Sequence, residues 1–483
     1  MANHAADARL GPAKKLRLVD AVAQSMGFMG PVFSIAFLVP LIMGITSASG
    51  NGAGAAAPLA VLVAAIGVLA VGWIVAQYAR RIHAAGAIYD YVTEGMGSRV
   101  GGAAGFLYYA GILSMCCATL MILGGTIHDT LLAEFGGAGL PEIGWHIVLV
   151  LIVAVFLIRG VAISTRAQLV LALISMAVVF IFFVYVAFKV GFSGDVVKAF
   201  TPSGSGQGLT GIVFGVAYGV ILFGGFESAA NLAEETEDPG RNIPKAIIFS
   251  VLTVTGFYLV CSYAQVAGFG FSVNAFSEAA GAPLFALASP AEAGGFGSVT
   301  LVRMMELVVI LDMIAVLIGV STAASRGLFA MARDGRIPRV ATKVGKYGTP
   351  VGAAGIIVAI LVVALLVNRF APSLWAVPGL PHYLGMFAVF ATLGALAFVC
   401  VYFLLSLGAL RGLADHRHRG RVIAAAAVGM TVTAGAVFGG LYKAPTLTVE
   451  VHVFGLAVFL VGFLVRGRVR QVAPEAAVAV PAS

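Results

Sequence analysis

The sequence predicts an all-α integral membrane protein with twelve transmembrane helices. Composition, the length of the apolar stretches and the placement of positive charge carry that expectation. Of 483 residues, 60% are apolar and only 10% charged, with a mean hydropathy of +1.02. A soluble domain carries roughly 25% Asp, Glu, Lys and Arg to keep its surface in water, so a water-soluble enzyme is excluded. The net charge of +8 does not indicate a nucleic-acid partner, because the basic residues are not pooled on one face. Cys116, Cys117, Cys261 and Cys400 lie in apolar runs and show neither metal spacing nor a disulfide framework.

A helix needs about 20 mainly apolar residues to cross the roughly 30 Å hydrocarbon core. Residues 1–20 are polar, with Lys14, Lys15 and Arg17, and form an expected cytoplasmic tail. Twelve apolar stretches follow, centred on 25–46, 57–79, 103–127, 146–163, 167–192, 210–230, 246–270, 301–325, 351–369, 383–409, 422–441 and 449–466. Each must be helical, because lipid offers the backbone no hydrogen-bond partner. The repeated period-2 alternation of an outer-membrane barrel is absent. No small-residue cleavage pattern follows the first stretch, so it reads as an uncleaved anchor. With the N-terminus inside, all but five of the 29 Lys and Arg fall on the cytoplasmic side, the exceptions being Lys189, Lys198, Arg303, Arg369 and Lys443. That asymmetry predicts both termini in the cytoplasm and a multi-pass protein of the cell inner membrane, with lipid around it. Ten or eleven crossings would require one or two of these runs to be re-entrant.

Two spans carry residues unsuited to a plain rod. Span 1 reads Ser25-Met26-Gly27-Phe28-Met29-Gly30-Pro31, and span 6 reads Phe223-Gly224-Gly225-Phe226-Glu227-Ser228. Glycine eases departure from helical geometry, and proline deletes an amide donor and clashes with the preceding turn. Close helix packing through small residues would explain either motif alone. Interruptions in corresponding positions of two halves point instead to a transporter's midplane site. The expected organisation is a first repeat over 21–195, a second and inverted repeat over 205–410, spans 11 and 12 over 420–467, and a cytoplasmic tail over 468–483.

The segment Phe223-Gly224-Gly225-Phe226-Glu227, then Glu234-Glu235, then Asp238-Pro239-Gly240-Arg241-Asn242-Ile243-Pro244-Lys245 resembles the sixth-span signature of the amino acid–polyamine–organocation (APC) transporters. Ala85-Gly86-Ala87-Ile88-Tyr89-Asp90-Tyr91-Val92 resembles the family's loop after span 2, and Gly160-Val161 with Arg166 and Gln168 its approach to span 5. Ser325-Arg326-Gly327-Leu328-Phe329-Ala330-Met331-Ala332-Arg333-Asp334-Gly335 resembles the exit from span 8. The resemblance implies a five-plus-five inverted-repeat, LeuT-like core with two appended helices, working by alternating access on amino acids or related amines. It also implies substrate-carboxylate contacts on Gly27, Phe28, Met29 and Gly30, and ammonium contacts on backbone carbonyls including Phe223 and Gly224, with Gly225 completing the second break. Phe223 or Phe226 would then cover the substrate, since an aromatic face tolerates a cation.

Ionisable groups inside the bilayer are costly and default to functional hypotheses. Glu227, beside the second break, is the first candidate for proton coupling or for pinning the broken segment. Glu306 and Asp312 share span 8, and either could line the cavity; Asp129 is expected at the outer end of span 3, solvated. Tyr108 and Tyr109 on span 3 could reach the cavity, but are read first as helix-interface hydroxyls. Neither His128 nor His146 has a partner close in sequence to recommend it as a relay. Spans 4 and 5 lack the lysine with which several APC members replace sodium; Ser321 and Thr322 on span 8 could coordinate sodium with span 1 carbonyls, against a favoured reading as hydroxyls bonded back to their own helix. Glu234 or Glu235 is expected to close an inside gate with one of Arg80, Arg81, Arg333 and Arg336, against a default of solvated loop charge. The expected partners are a small amino acid or amine and a coupling ion, proton or sodium. No cofactor, metal or enzymatic motif is expected, and a channel would need subunit-repeated filter groups that the sequence lacks.

Overall fold

The computed structural model describes residues 10, 15–44, 52–191, 196–279, 283–372, 382–442, 446–465 and 467. Twelve helical spans are long and apolar enough to cross a membrane: Leu18–Met43, Gly54–Ala79, Ser98–Phe135, Glu142–Arg159, Thr165–Val190, Gly208–Glu235, Pro239–Gly268, Val299–Arg333, Val351–Phe370, His382–Gly412, Arg419–Leu441 and Thr446–Leu464. They are numbered spans 1 to 12. The chain is therefore a multi-pass membrane protein. Arg9, Lys14, Lys443, Arg466, Arg468, Arg470 and the tail 468–483 lie outside the described residues.

The sequence expectation placed every span but not every end. Span 1 starts at Leu18 instead of near 25, and span 3 runs 38 residues, Ser98–Phe135. At 1.5 Å per residue such a helix is about 57 Å long, far more than the hydrocarbon core. Hydropathy marks only the part of a helix that must avoid water. The backbone ladder continues past it wherever neighbouring helices cover one side. Span 8 does the same, carrying Arg326 and Arg333 beyond the expected end at 325.

Burial sorts the spans into layers. In their most apolar windows, 89% of residues are buried in span 1, 78% in spans 3 and 8, and 72% in span 6, against 17% in span 12. Spans 1, 3, 6 and 8 thus form the centre, and spans 11 and 12 attach at the periphery. At one end, residue Leu16 pairs with Thr236, with Leu16 N donating to Glu235 O (2.9 Å) and Glu237 N to Leu16 O (2.8 Å). The segment before span 1 is thereby stitched to the end of span 6. A short helix, Ile88–Met96, lies between spans 2 and 3 at the same end.

Candidate substrate site between two broken helices

Span 1 is two helices, Leu18–Met29 and Pro31–Met43, joined by Gly30 in the left-handed region (φ 55°, ψ 69°). A Cβ on Gly30 would lie 2.1 Å from Val316, so glycine is required by conformation and by space. Gly30 N closes the first half-helix on Met26 O (3.2 Å), Pro31 has no amide hydrogen, and Ser34 N returns to Gly30 O (2.8 Å). The amides of Val32 and Phe33 would be orphans at the start of the second half-helix. Both donate to Asp312 Oδ2 on span 8, at 3.0 and 2.8 Å. Asp312 is fully buried, and its Oδ1 has no hydrogen-bond partner. These two free amides at the start of the second half-helix, just past the expected carboxylate contacts at Gly27–Gly30, are therefore already engaged by a carboxylate of the protein. The carbonyls lose their usual helical partners instead: Gly27 O faces a proline, and the Val32 amide that would serve Phe28 O goes to Asp312.

Span 6 breaks after the helix Gly208–Leu222 and resumes at Phe226 as a ten-residue 3₁₀ segment ending at Glu235. Gly225 takes φ 99°, and a Cβ there would sit 2.3 Å from the Phe28 ring. The two breaks are tied directly. Ser25 Oγ donates to Phe226 O (2.6 Å) and accepts from Ala229 N (3.3 Å), while Ser228 Oγ donates to Gln24 O (3.2 Å). Phe28 also meets Phe398 edge-on, centroids 6.2 Å apart, and Phe398 presses on Gly224, 3.1 Å from where a Cβ would lie. Phe223 and Phe226 are fully buried, the first against Tyr258 (5.1 Å) and the second against Tyr402 (5.3 Å). Met29 is buried, and its carbonyl accepts from Ser34 Oγ (3.0 Å).

Glu227 stands beside this junction, fully buried, with Oε1 receiving Tyr108 OH (2.5 Å) from span 3 and Oε2 receiving Tyr402 OH (2.8 Å) from span 10. Tyr108 is thus more than an interface hydroxyl, whereas Tyr109 does bond backbone, at Gly86 O (2.8 Å). The Ser321 hydroxyl donates to Cys116 Sγ on span 3 (3.7 Å). Thr322 is buried, and its carbonyl accepts from Ser325 Oγ (2.8 Å). Spans 1, 5 and 8 meet instead through amides, with Gln24 Nε2 on Gly319 O (2.9 Å) and Gln168 Nε2 on Gln24 Oε1 (3.4 Å).

Below the breaks Glu234 and Glu235 are paired and sheltered, so for these two the default of solvated loop charge is corrected, whereas the Arg81–Asp415 pair is exposed. Arg333 grips Glu234 with two nitrogens, at 2.7 and 3.1 Å, and Ala85 N adds a third bond to that carboxylate (3.1 Å). Glu235 pairs with Arg326 at 3.0 Å, both side chains at most 2% exposed. Arg81 pairs with Asp415 (2.7 Å), and Arg336 binds Tyr89 OH (2.9 Å). Asp90, in the short helix between spans 2 and 3, is half-buried; burial first, and the Asp334 charge next, push its carboxyl up to about 7. At the far end, Arg303 pairs with Glu134, and Asp129 is exposed while accepting from Tyr383 OH (2.6 Å). His128 does have a near neighbour, Asp129 at 3.0 Å, and His146 has Glu142 at 4.0 Å, so the expectation of no such partner is corrected.

Two helices broken at one depth and laced to each other are the geometry of a carrier, and residues 22–465 match the amino acid permease family model. The chain belongs to the amino acid permease family. Among curated relatives of this permease, the branched-chain amino acid permease BcaP of Bacillus subtilis is 28% identical over 42% of this chain and 41% of that protein. The methylthioribose transporter of Bacillus subtilis is 25% identical over 41% and 40%, and the vacuolar cationic amino acid transporter 2 of Arabidopsis thaliana 27% over 56% and 43%. The matches span about two-fifths of these relatives' own lengths. By fold, the permease resembles the Eremococcus coleocola manganese transporter, with TM-score 0.53, 12% identity and coverage of 94% and 96%. That likeness shows a LeuT-like, five-plus-five inverted-repeat core with two appended helices.

Sequence reasoning gave Asp312 no definite role in this permease and missed Gln24, Tyr402 and Arg326 as site residues. Asp312 carried one usable signal, a lone carboxylate mid-span with no lysine or arginine within helical reach. The pairing of Arg326 with Glu235 spans 91 residues, and nothing local announces it.

Proposed function

We propose that this chain is a secondary transporter that moves amino acids across the cell inner membrane by alternating access, with the arginine-rich end cytoplasmic. The observation that carries the reading is the direct lacing of the two breaks beside the doubly tyrosine-bonded Glu227. Substrate would enter where Phe28 now rests on Gly225, against Gly27, Met29, Gly30 and the carbonyls of Phe223 and Gly224, with Phe226 as a covering ring. Glu227 would carry the coupling proton. Sodium is the weaker candidate, because the Ser321 hydroxyl is engaged with Cys116 on span 3 and the Gln24 amide already occupies Gly319 O. The ion pairs Glu234–Arg333 and Glu235–Arg326 would be the closed inside gate.

Asp312 favours a second reading. An amino acid's carboxylate that reached for the Val32 and Phe33 amides would have to displace Asp312, whereas an amine without a carboxylate would leave it in place and use the carbonyls of Gly27 and Phe28. Proteoliposome uptake of an amino acid and of its decarboxylated amine, under separate proton and sodium gradients, tests both. Proton-driven uptake of the amino acid alone supports the main reading. Uptake of the amine alone replaces it, and uptake of neither under any gradient removes both.

A further inference from the structure

On the outer side of the first half-helix, at the arginine-rich end, a groove of about 910 Å³ opens between span 1, span 2 and span 7. Its size lies near the top of the roughly 300–1,000 Å³ range of small-molecule sites. The walls are apolar: Leu18, Val19 and Phe249 line it and are 36%, 51% and 58% exposed. Such exposure alone is ordinary for a lipid-facing surface. The rim is not ordinary. Arg17, Arg80 and Lys245 come from three different elements to one groove, all three are exposed, and among the described residues no Asp or Glu lines it. Trp73 also lines it, with the amphipathic ring that favours the level of lipid headgroups. A smaller recess on the other side of the same half-helix, about 160 Å³, includes Asp20 and lacks this one-signed rim.

We infer that this groove is a binding site for one anionic phospholipid of the adjacent leaflet, its phosphate held by Arg17, Arg80 and Lys245 and its acyl chains on Leu18, Val19 and Phe249. Basic pockets between transmembrane helices suit anionic headgroups in this way. A zwitterionic lipid would bring a choline or ethanolamine cation to a rim that has no acid to receive it. A lipid in this groove bridges the first half-helix to spans 2 and 7 from outside the bundle. It is independent of the substrate site, so failure of the transport reading leaves it standing.

The test uses the full chain in detergent, titrated with short-chain phosphatidylglycerol, short-chain phosphatidylcholine and inorganic phosphate, read by native mass spectrometry and thermal unfolding. The expected result is one retained phosphatidylglycerol and a Tm raised several degrees above that in phosphatidylcholine. Both effects should fall at least tenfold in lipid affinity in the variant R17Q/R80Q/K245Q, and should weaken as salt rises from roughly 0.1 M to 1 M, where the Debye length shrinks from about 10 to 3 Å. Equal responses to the two lipids, reproduction of the shift by phosphate alone, or a triple variant that binds phosphatidylglycerol as before would each overturn the site. Should the triple variant not fold, K245Q alone and the salt series on the wild type decide. Salt-insensitive binding that K245Q leaves unchanged overturns the site as well.

Discussion

Glu227 has each carboxylate oxygen filled by a tyrosine hydroxyl, and this sets what single substitutions should do. A hydrogen bond to a charged group is worth about 1.5–3 kcal/mol, so Tyr108→Phe should weaken proton-driven uptake by roughly ten- to a hundredfold while leaving expression intact. Glu227→Gln keeps the shape and removes the charge. Uptake into proteoliposomes should then lose its dependence on the proton gradient, and a variant as gradient-dependent as the wild type would free Glu227 from the coupling role. Asp312 predicts differently, because its work in this structure is to satisfy two amides. Asp312→Ala strands Val32 and Phe33, at about 1–3 kcal/mol for each buried donor left alone. The expected readout is a lowered Tm together with lost uptake, while Asp312→Asn, which keeps an acceptor oxygen, should restore most of the Tm.

At the scale of elements, the two breaks behave as one joint. Each needs its glycine for a different neighbour: Gly30 for Val316 and Gly225 for the Phe28 ring. Gly225→Ala places a methyl where Phe28 lies and imposes a positive φ on a residue with a Cβ. Destabilisation of about 1–3 kcal/mol is expected, the range of strained backbone positions, measurable as a Tm loss in detergent. A second substitution, Phe28→Ala, relieves the clash but not the backbone strain, so it should recover part of the loss and no more. The breaks were legible from the letters because glycine and proline act on their own backbone. Their partners were not, since Ser25 with Phe226 and Gln24 with Gly319 lie 201 and 295 residues apart. The partner of Ser321 was not readable for a related reason. A hydroxyl's presence on a span is readable, but which of two neighbouring helices it faces depends on the rotation of the whole helix.

At the scale of the molecule, twelve spans were legible because the bilayer fixes a minimum apolar length, and helix ends were not because packing sets them. Likewise, counting charge could locate the arginine-rich end but could not say that its acids would be buried in pairs. Exchanging partners in Glu234→Arg with Arg333→Glu should restore uptake that either single change abolishes; failure of the double exchange would show that the pair is not interchangeable gating charge. Asp90 gives that end a pH dependence. The folded protein holds its proton up to about pH 7, against an ordinary value of 3.8. Its protonated form therefore lends stability that is full below the lower value and is lost as pH rises through the higher one. Tm should decline from mildly acidic to neutral pH, and Asp90→Asn should flatten that decline.

The 3₁₀ stretch from Phe226 to Glu235 matters as a ruler. Runs beyond three or four residues are uncommon, and each residue advances about 2.0 Å where an α-helix advances 1.5 Å. Ten residues rewound as α-helix would therefore shorten by about 5 Å, nearly one turn. Anchored above at the tied breaks, such a rewinding would draw Glu234 and Glu235 away from Arg333 and Arg326, so the linkage between an upper event and the proposed lower latch would be a change of thread pitch.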